Sequence, residues 1–588
     1  MRNIFFYFIL VGFTLANISE RIFCADLQTQ ILEDYQKGEI SYHNYIVYRG
    51  YLIFAPEKLF EIYPGETVER AEKCGTGTIM ELTLNWDILT EDEKSFFSQY
   101  IHSRPSLAYS LISPSGEFKI HYDLTGYNKV PSEDLNKNGI PDYAEMAALA
   151  LDKARALYVD TLGFLPPYSD KGIEGPEFDV YLRNLSTIYG QTFFPPNIYI
   201  EIENDLEEDI FYTNGIEGLK VTCAHELHHA VQFSYIIRSQ DFFFYETTAV
   251  LMEDMVYDEI NDYYQYLPNF FGSTQIPFNT RDYFHEYGLS IWGHFLNKKY
   301  NRFIMREIWE EFKNNMPILD AIDETLKNHN SNFDDDLNEF YTWNYFTGSR
   351  ADVVNYYDEG AEYPELEMID IVPAIKDTII SISNKYLTPS YILLEGLIPT
   401  YYEINAKTSD NVNIDLWRNK IMLFEPMGPA IPVLFRTTDS LTNTTEIMNQ
   451  EVNSEALIVS TSVARTDNKF DEERKYNMDI EVTIIEIPAY KRNSLRDIYP
   501  NPFILGEHDD VTIEFTLERT SDVKLLIISL SGRIVNKIEE SNMSEGQLHK
   551  RSWDGLNENN VPVPSGIYFC QLRAGDFSET KKIAVIRR

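Results

Sequence analysis

His225-Glu226-Leu227-His228-His229 is the stretch on which the reading of this chain turns. The residues from Leu219 to Phe233 contain no proline and support a helix through the motif. Positions i and i+4 of a helix share a face, so the imidazoles of His225 and His229 can converge on one ion. Glu226 neighbours them and is placed to act as a general base. A catalytic zinc takes three protein ligands and keeps a fourth position open. Tyr245-Glu-Thr-Thr-Ala249 offers the third ligand in Glu246, far enough along for a loop and the start of a second, antiparallel helix. Glu253 follows two turns later on the same face; it either orients a ligand histidine or replaces Glu246. His228 points elsewhere and is expected to be a packed or surface residue. Cys223 lies about 200° around the helix from His225, which makes it a core thiol. A helix that carries two histidines and no metal is the bland alternative.

Hydrolysis at such a centre needs a donor for the developing oxyanion. Asp282-Tyr-Phe-His-Glu-Tyr-Gly-Leu289 precedes a further helix and offers Tyr287 or His285; aromatic packing beside a tight turn is the competing reading.

A second motif lies upstream. Asp134-Leu-Asn-Lys-Asn-Gly-Ile-Pro-Asp-Tyr-Ala-Glu145 matches the twelve-residue calcium loop. Asp134, Asn136 and Asn138 stand at positions one, three and five, with Gly139 at the sharp turn. Ile140 offers a carbonyl, Asp142 stands at nine and Glu145 is the bidentate candidate at twelve. The loop has no partner loop, so it reads as a brace ahead of a helix and not as a sensor. A polar turn without an ion is its alternative.

Around these motifs the chain of 588 residues is too long for one core and is expected to be multidomain. Residues 1–25 read as a signal peptide, with Arg2 ahead of a short apolar run from Ile4 to Ala16. Residues 26–112 form a helical, pro-region-like segment, where Thr90 and Glu93 have capping-box spacing. Residues 113–368 alternate strands (Phe118–Tyr122, Phe178–Leu182, Asn197–Ile202) with helices at 143–158, 216–234, 244–258, 287–299 and 303–314. Ser113-Pro-Ser-Gly116 is a candidate boundary. Short strands at Thr378–Ile382, Tyr391–Leu394 and Ala456–Val459 make 369–488 a β-sandwich. A linker from Lys491 to Pro502 opens the last unit, 489–588, which reads as a small immunoglobulin-like β domain containing Tyr499-Pro-Asn-Pro-Phe503 and Trp553-Asp-Gly555. The fold class expected is therefore an α+β zincin-like domain followed by two β domains.

These motifs resemble a family of secreted bacterial zinc metallopeptidases of gluzincin type. The resemblance covers most of residues 70–365, including Cys74-Gly-Thr76, the calcium loop, Phe178–Leu182, the histidine motif, the Tyr245-Glu246 helix start and Trp343-Asn-Tyr-Phe-Thr-Gly348. The last domain resembles the type A sorting domain of the type IX secretion system, which has a hook-capping-protein-like immunoglobulin fold. It implies export through the periplasm and outer membrane by the type IX machinery, then release or surface anchoring. Arg70-Ala-Glu-Lys-Cys-Gly75 resembles the cysteine switch of other zinc peptidase precursors, which makes Cys74 a candidate latency residue. A packing cysteine or a pair with Cys223 are the simpler alternatives.

Composition agrees with an extracellular chain. The net charge of −42 argues against nucleic acid and anionic membranes as partners, since both need a basic face. No stretch after the signal is long enough to span a bilayer. Four cysteines, Cys24, Cys74, Cys223 and Cys570, do not make a disulfide scaffold. The function expected is zinc-dependent endopeptidase activity on a protein or peptide substrate, with zinc at His225, His229 and Glu246, calcium in the upstream loop and Glu226 as general base. Two rivals stand beside it: a non-catalytic, calcium-braced surface adhesin on the same fold, and a zinc hydrolase acting on a non-peptide bond.

Overall fold

The computed structural model describes residues 27–587, apart from 65–67, 69, 208–209, 374–377, 398–399, 409–415, 425–430, 435, 438–441, 450–453, 466–473 and 486–492. The expected signal segment with Cys24, and the beginning of the expected linker at Lys491, lie outside the described residues.

The chain is a multidomain α/β protein. Its first sheet contains β1 (Glu72–Cys74), β2 (Tyr109–Ile112), β3 (Phe118–Tyr122), β4 (Phe178–Leu182), β5 (Ile188–Phe193) and β6 (Tyr199–Ile202), in the order β1-β5-β6-β4-β3-β2. Every residue of β4, β5 and β6 is buried, as in strands covered on both faces. Alternation divides their side chains. Val180, Leu182, Ile200 and Ile202 join the main core with α5 (Asp142–Arg155) and α6 (Gly215–Gln232). Tyr181, Tyr199, Ile188 and Phe193 form a second cluster with Ile53 and Ile79 from the N-terminal helices. Those helices are α1 (Leu27–Gln36), α2 (Tyr42–Phe54), α3 (Thr76–Leu84) and α4 (Glu91–Ile101). Thr90 and Glu93 make the expected reciprocal capping box at the start of α4.

The N-terminal segment is not a free-standing unit ending at 112. Ser113–Gly116 joins β2 to β3 as a hairpin in one sheet, pairing Ile112 with Lys119 and Tyr109 with Tyr122. Proline, serine and glycine mark a hairpin turn and a linker alike, which is why the boundary was misplaced. β1, deeper in the segment, pairs in parallel with β5 through Glu72–Ile188 and Cys74–Gly190.

The long helices fall close to their expected places. α5 runs into a π-helical turn at Ala156–Thr161, and α6 is followed by α7 (Phe242–Val256). Beyond them, the described residues of 370–485 form two five-stranded sheets, in the stretch where a β-sandwich is expected. Its core is continuous with that of the helical body. The helix Phe333–Tyr345 seals the junction: Asn338 Nδ2 donates to Val459 O at 3.1 Å and to Thr461 Oγ1 at 2.9 Å. Tyr391 Oη donates to Tyr341 O at 2.9 Å. The last unit, from Ser494 onward, has a three-stranded and a five-stranded sheet around its own core, which includes Phe515, Trp553 and the buried thiol of Cys570.

Asn338→Ala leaves buried acceptors on the sandwich strands without their donor. Its expected cost is about 1–3 kcal/mol, read as a lower urea midpoint at unchanged slope. An unchanged midpoint would show that the junction is not built on this side chain.

Candidate metal centre

α6 carries His225, Glu226 and His229, all buried. It lies close against β5 because Gly190 has no side chain there: a Cβ at that position would meet Thr222 Cγ2 at 2.8 Å and Glu226 Cγ at 2.9 Å. α7 packs alongside and supplies Glu246, which is 2% exposed.

The hydrogen bonds behind the rings fix their tautomers. Gln232 Nε2 donates to Tyr245 O at 2.9 Å and Thr248 Oγ1 at 2.9 Å, so its Oε1 is the acceptor that faces His229 Nδ1 at 2.7 Å. His225 Nδ1 faces the Glu253 carboxylate at 2.7 Å. Both Nδ1 atoms are therefore the donors, and both Nε2 atoms present lone pairs. Those Nε2 atoms stand 3.1 Å apart, with Glu246 Oε2 at 3.1 Å from that of His225 and 3.6 Å from that of His229. With both rings neutral, three acceptors meet in a buried space with no donor between them. Such a set calls for a positive charge, either a proton on His225 or a metal ion; two imidazoles with a carboxylate are a donor set that suits zinc. In the metal-free protein the same pressure falls on protons. Burial disfavours a charged His225, yet Glu246 and Glu253 lift it to about 10. Burial likewise opposes an ionised Glu246, yet His229 and His225 pull its carboxyl down to about 2.

Glu253 holds the back of the His225 ring. It stands behind the ring, whereas Glu246 stands on the side where the two Nε2 atoms meet. Its other oxygen forms an ion pair with Lys73 Nζ at 2.8 Å, and the same ammonium donates to Asp262 Oδ2 at 2.7 Å. Burial works against that charge, but Asp262 and Glu253 keep it well above its ordinary value.

Glu226 Oε2 accepts Thr192 Oγ1 at 2.7 Å and Thr76 Oγ1 at 3.3 Å. Its Oε1 is buried and has no partner among the described residues. Cys74 completes the neighbourhood. One donor atom each from Cys74, His225, His229 and Glu246 lies within 4.8 Å of the others. Burial, followed by the charges of Glu226 and Glu246, pushes the Cys74 thiol well above its ordinary value. A bound cation reverses that sign, since a coordinating thiol is deprotonated outright. The pairing of Cys74 with Cys223 does not form: both are free thiols, and Cys223 turns to Ala147 O on α5. His228 is also core, edge-on to Tyr158 and Phe164, with burial driving it well below its usual value.

The two oxyanion candidates separate. Tyr287 is buried next to the centre; burial, then the charges of Glu246, Glu286 and Cys74, raise its phenol well above normal. His285 leaves the centre. It stacks on Phe270 and lines a small cavity with Tyr341, Asn344 and Tyr391. Residues two apart on the short helix His285–Gly288 point about 200° from one another, so only one of them can face the metal ligands.

The upstream loop has the expected turn, with Gly139 at φ +86°. Glu145 gathers Asn136 Nδ2 at 2.9 Å and Asn138 Nδ2 at 2.7 Å, while Asp134 accepts the Gly139 N–H at 2.9 Å. Asp142 turns to the Leu135 N–H at 3.1 Å.

Comparison with known proteins identifies the tail. Residues 497–586 match the family model of the secretion system C-terminal sorting domain. The chain therefore carries a type IX address for export to the cell surface or secretion. No curated protein matches the chain. Among solved structures it is similar to PorZ, a surface component of the type IX system of Porphyromonas gingivalis, at 22% identity over 18% of this chain and 14% of that one, TM-score 0.14. Latent dimeric PorU of the same organism aligns at 16% identity over 37% and 20%, TM-score 0.15. The adhesin domain of Epf from Streptococcus pyogenes aligns at 9% identity over 36% and 77%, TM-score 0.13. The chain spans only a minor part of PorZ and PorU. At these scores none of the three defines the fold. Among the described residues no helix is long and apolar enough to cross a membrane.

The roles of the two glutamates can be separated by titrating zinc. His229→Ala is expected to abolish tight binding. Glu253→Gln should keep one zinc per chain with affinity weakened about 10–100-fold, as for an outer-shell partner. A loss as complete as that of His229→Ala would make Glu253 a ligand.

Proposed function

We propose that this chain is a secreted zinc-dependent endopeptidase. The observation that carries the reading is the buried Oε1 of Glu226, left without a protein partner beside a three-acceptor metal site. An orphaned buried carboxylate oxygen costs stability, and a purely structural metal site has no use for one. A general base must have a free oxygen facing the reacting water.

His225, His229 and Glu246 would hold zinc, which when bound supplies Lewis acidity to a carbonyl and acidity to water. Thr192 fixes one oxygen of Glu226, so that the other is aimed and can take a proton and return it to the leaving amine. Glu253 and Gln232 keep both Nε2 lone pairs turned inward. The Tyr287 hydroxyl is the donor suited to a developing oxyanion, in place of His285. The upstream loop, through Asp134, Asn136, Asn138 and Glu145 with the Ile140 carbonyl, would hold calcium as a brace at the start of α5.

The adhesin reading draws on a different observation. A fourth donor, Cys74, closes the site, as a structural zinc requires. Zinc content and casein hydrolysis of Glu226→Gln decide between the two, measured beside the parent before and after limited proteolysis. The parent should hold one zinc and cleave; the variant should hold zinc and cleave about 10²–10⁴-fold more slowly. Equal zinc with no cleavage in either protein and either state would move the adhesin ahead.

A further inference from the structure

We propose that residues 27–101 are a built-in inhibitor that holds the metal centre latent, with Cys74 as the removable fourth ligand. The inference rests on the metallopeptidase reading and adds the regulation of its site.

Three features meet at β1. The first is chemical. Cys74 is the only described thiol at the centre, and its sulfur stands within 4.8 Å of the donor atoms of all three ligands. The thiol donates to the Thr76 hydroxyl oxygen at 3.0 Å, and the Thr76 N–H points back at the sulfur at 3.4 Å, a donor that would support a thiolate once a cation is present. Cys74 would hold the ion as a thiolate, its proton given up to solvent, and on withdrawal would take a proton back and leave a ligand position open to water.

The second feature is topological. β1 lies at the edge of the sheet, on β5, with Glu72 N donating to Thr187 O at 2.8 Å and Gly75 N to Gly190 O at 3.0 Å. Without it β5 becomes the edge, and β5 is the strand whose Thr192 positions Glu226. Adding a strand to a sheet edge is a general mode of peptide binding. β1 therefore occupies the place where an extended substrate would dock.

The third feature is electrostatic. Lys73, fully buried, bridges Glu253 and Asp262, so the inhibitor also grips the residue that orients His225. Arg49 pairs with Glu72 inside the segment and lies over the Tyr283 ring at 3.7 Å. Arg281 of the body pairs with Glu81 of α3 at 2.6 Å. The segment ends where the body begins again, since Arg104 is paired to Asp179 and Asn197. A permanent structural element has no need to seat a strand on the open edge and a thiol beside the three candidate ligands together.

The test uses the full chain loaded with cobalt in place of zinc. The wild type should show a thiolate-to-cobalt charge-transfer band. Cys74→Ser should keep one cobalt and lose the band. Its zinc form should cleave a peptide library at least about tenfold faster than wild type, equivalent to removing the inhibitor from most molecules. Lys73→Glu, which sets a third carboxylate against Glu253 and Asp262, should raise cleavage while the thiol is intact; urea unfolding checks that both variants fold. A wild type without the band overturns latency, and its own cleavage then decides the peptidase reading separately. A band in the wild type, with folded and metal-loaded variants that do not cleave, overturns both and makes Cys74 a permanent ligand of a structural site.

Discussion

When both rings are neutral, two imidazole lone pairs and one carboxylate oxygen meet inside the protein with no donor among them. Much of the helical body is arranged around that constraint. Gln232 and Glu253 spend their acceptors behind the histidine rings, which fixes the tautomers. Gly190 lets α6 sit close enough to β5 for Thr192 to reach Glu226. α7 must lie against α6 so that Glu246 and Glu253, two turns apart, address opposite sides of one ring. A buried acceptor cluster of this kind is unfavourable until a proton or a cation enters it, so in the proposed reading metal binding and folding of this region would be coupled.

The same constraint links the centre to the N-terminal segment. Lys73 neutralises two carboxylates that would otherwise repel each other in the interior, and one of these holds His225. A buried charge whose partner is removed is strongly destabilising, whereas the intact network can be close to neutral. Displacing β1 would therefore disturb His225 from behind as well as uncover the cluster from the front. The sorting domain stands apart from this network, with its own core and its own sheets. That separation suits an address that is read without disturbing the centre.

Much of this was legible in the sequence where the signal is local. The i, i+4 histidines, the glutamate on the next helix and the capping box at Thr90 depend on spacing along one element, and they fall where spacing puts them. The alternating burial of Thr378–Asn384 did the same for the sandwich. Gln232 could have been found, since it is one turn beyond His229 on the same face. Thr192 and Asp262 could not, because only the tertiary fold brings them to the centre. His285 and Tyr287 looked equivalent until the direction of their short helix separated them. The turn at Ser113–Gly116 looked like a boundary because local chemistry does not say whether the next strand returns to the same sheet.

Zinc-edge X-ray absorption on the purified full-length protein tests the centre most directly. The account predicts one zinc per chain with a mixed first shell: one sulfur at about 2.3 Å and three nitrogen or oxygen neighbours at about 2.0–2.2 Å, with the imidazole outer-shell pattern of two histidines. A protein that retains no zinc, or binds it in a shell without the two imidazoles, would contradict it.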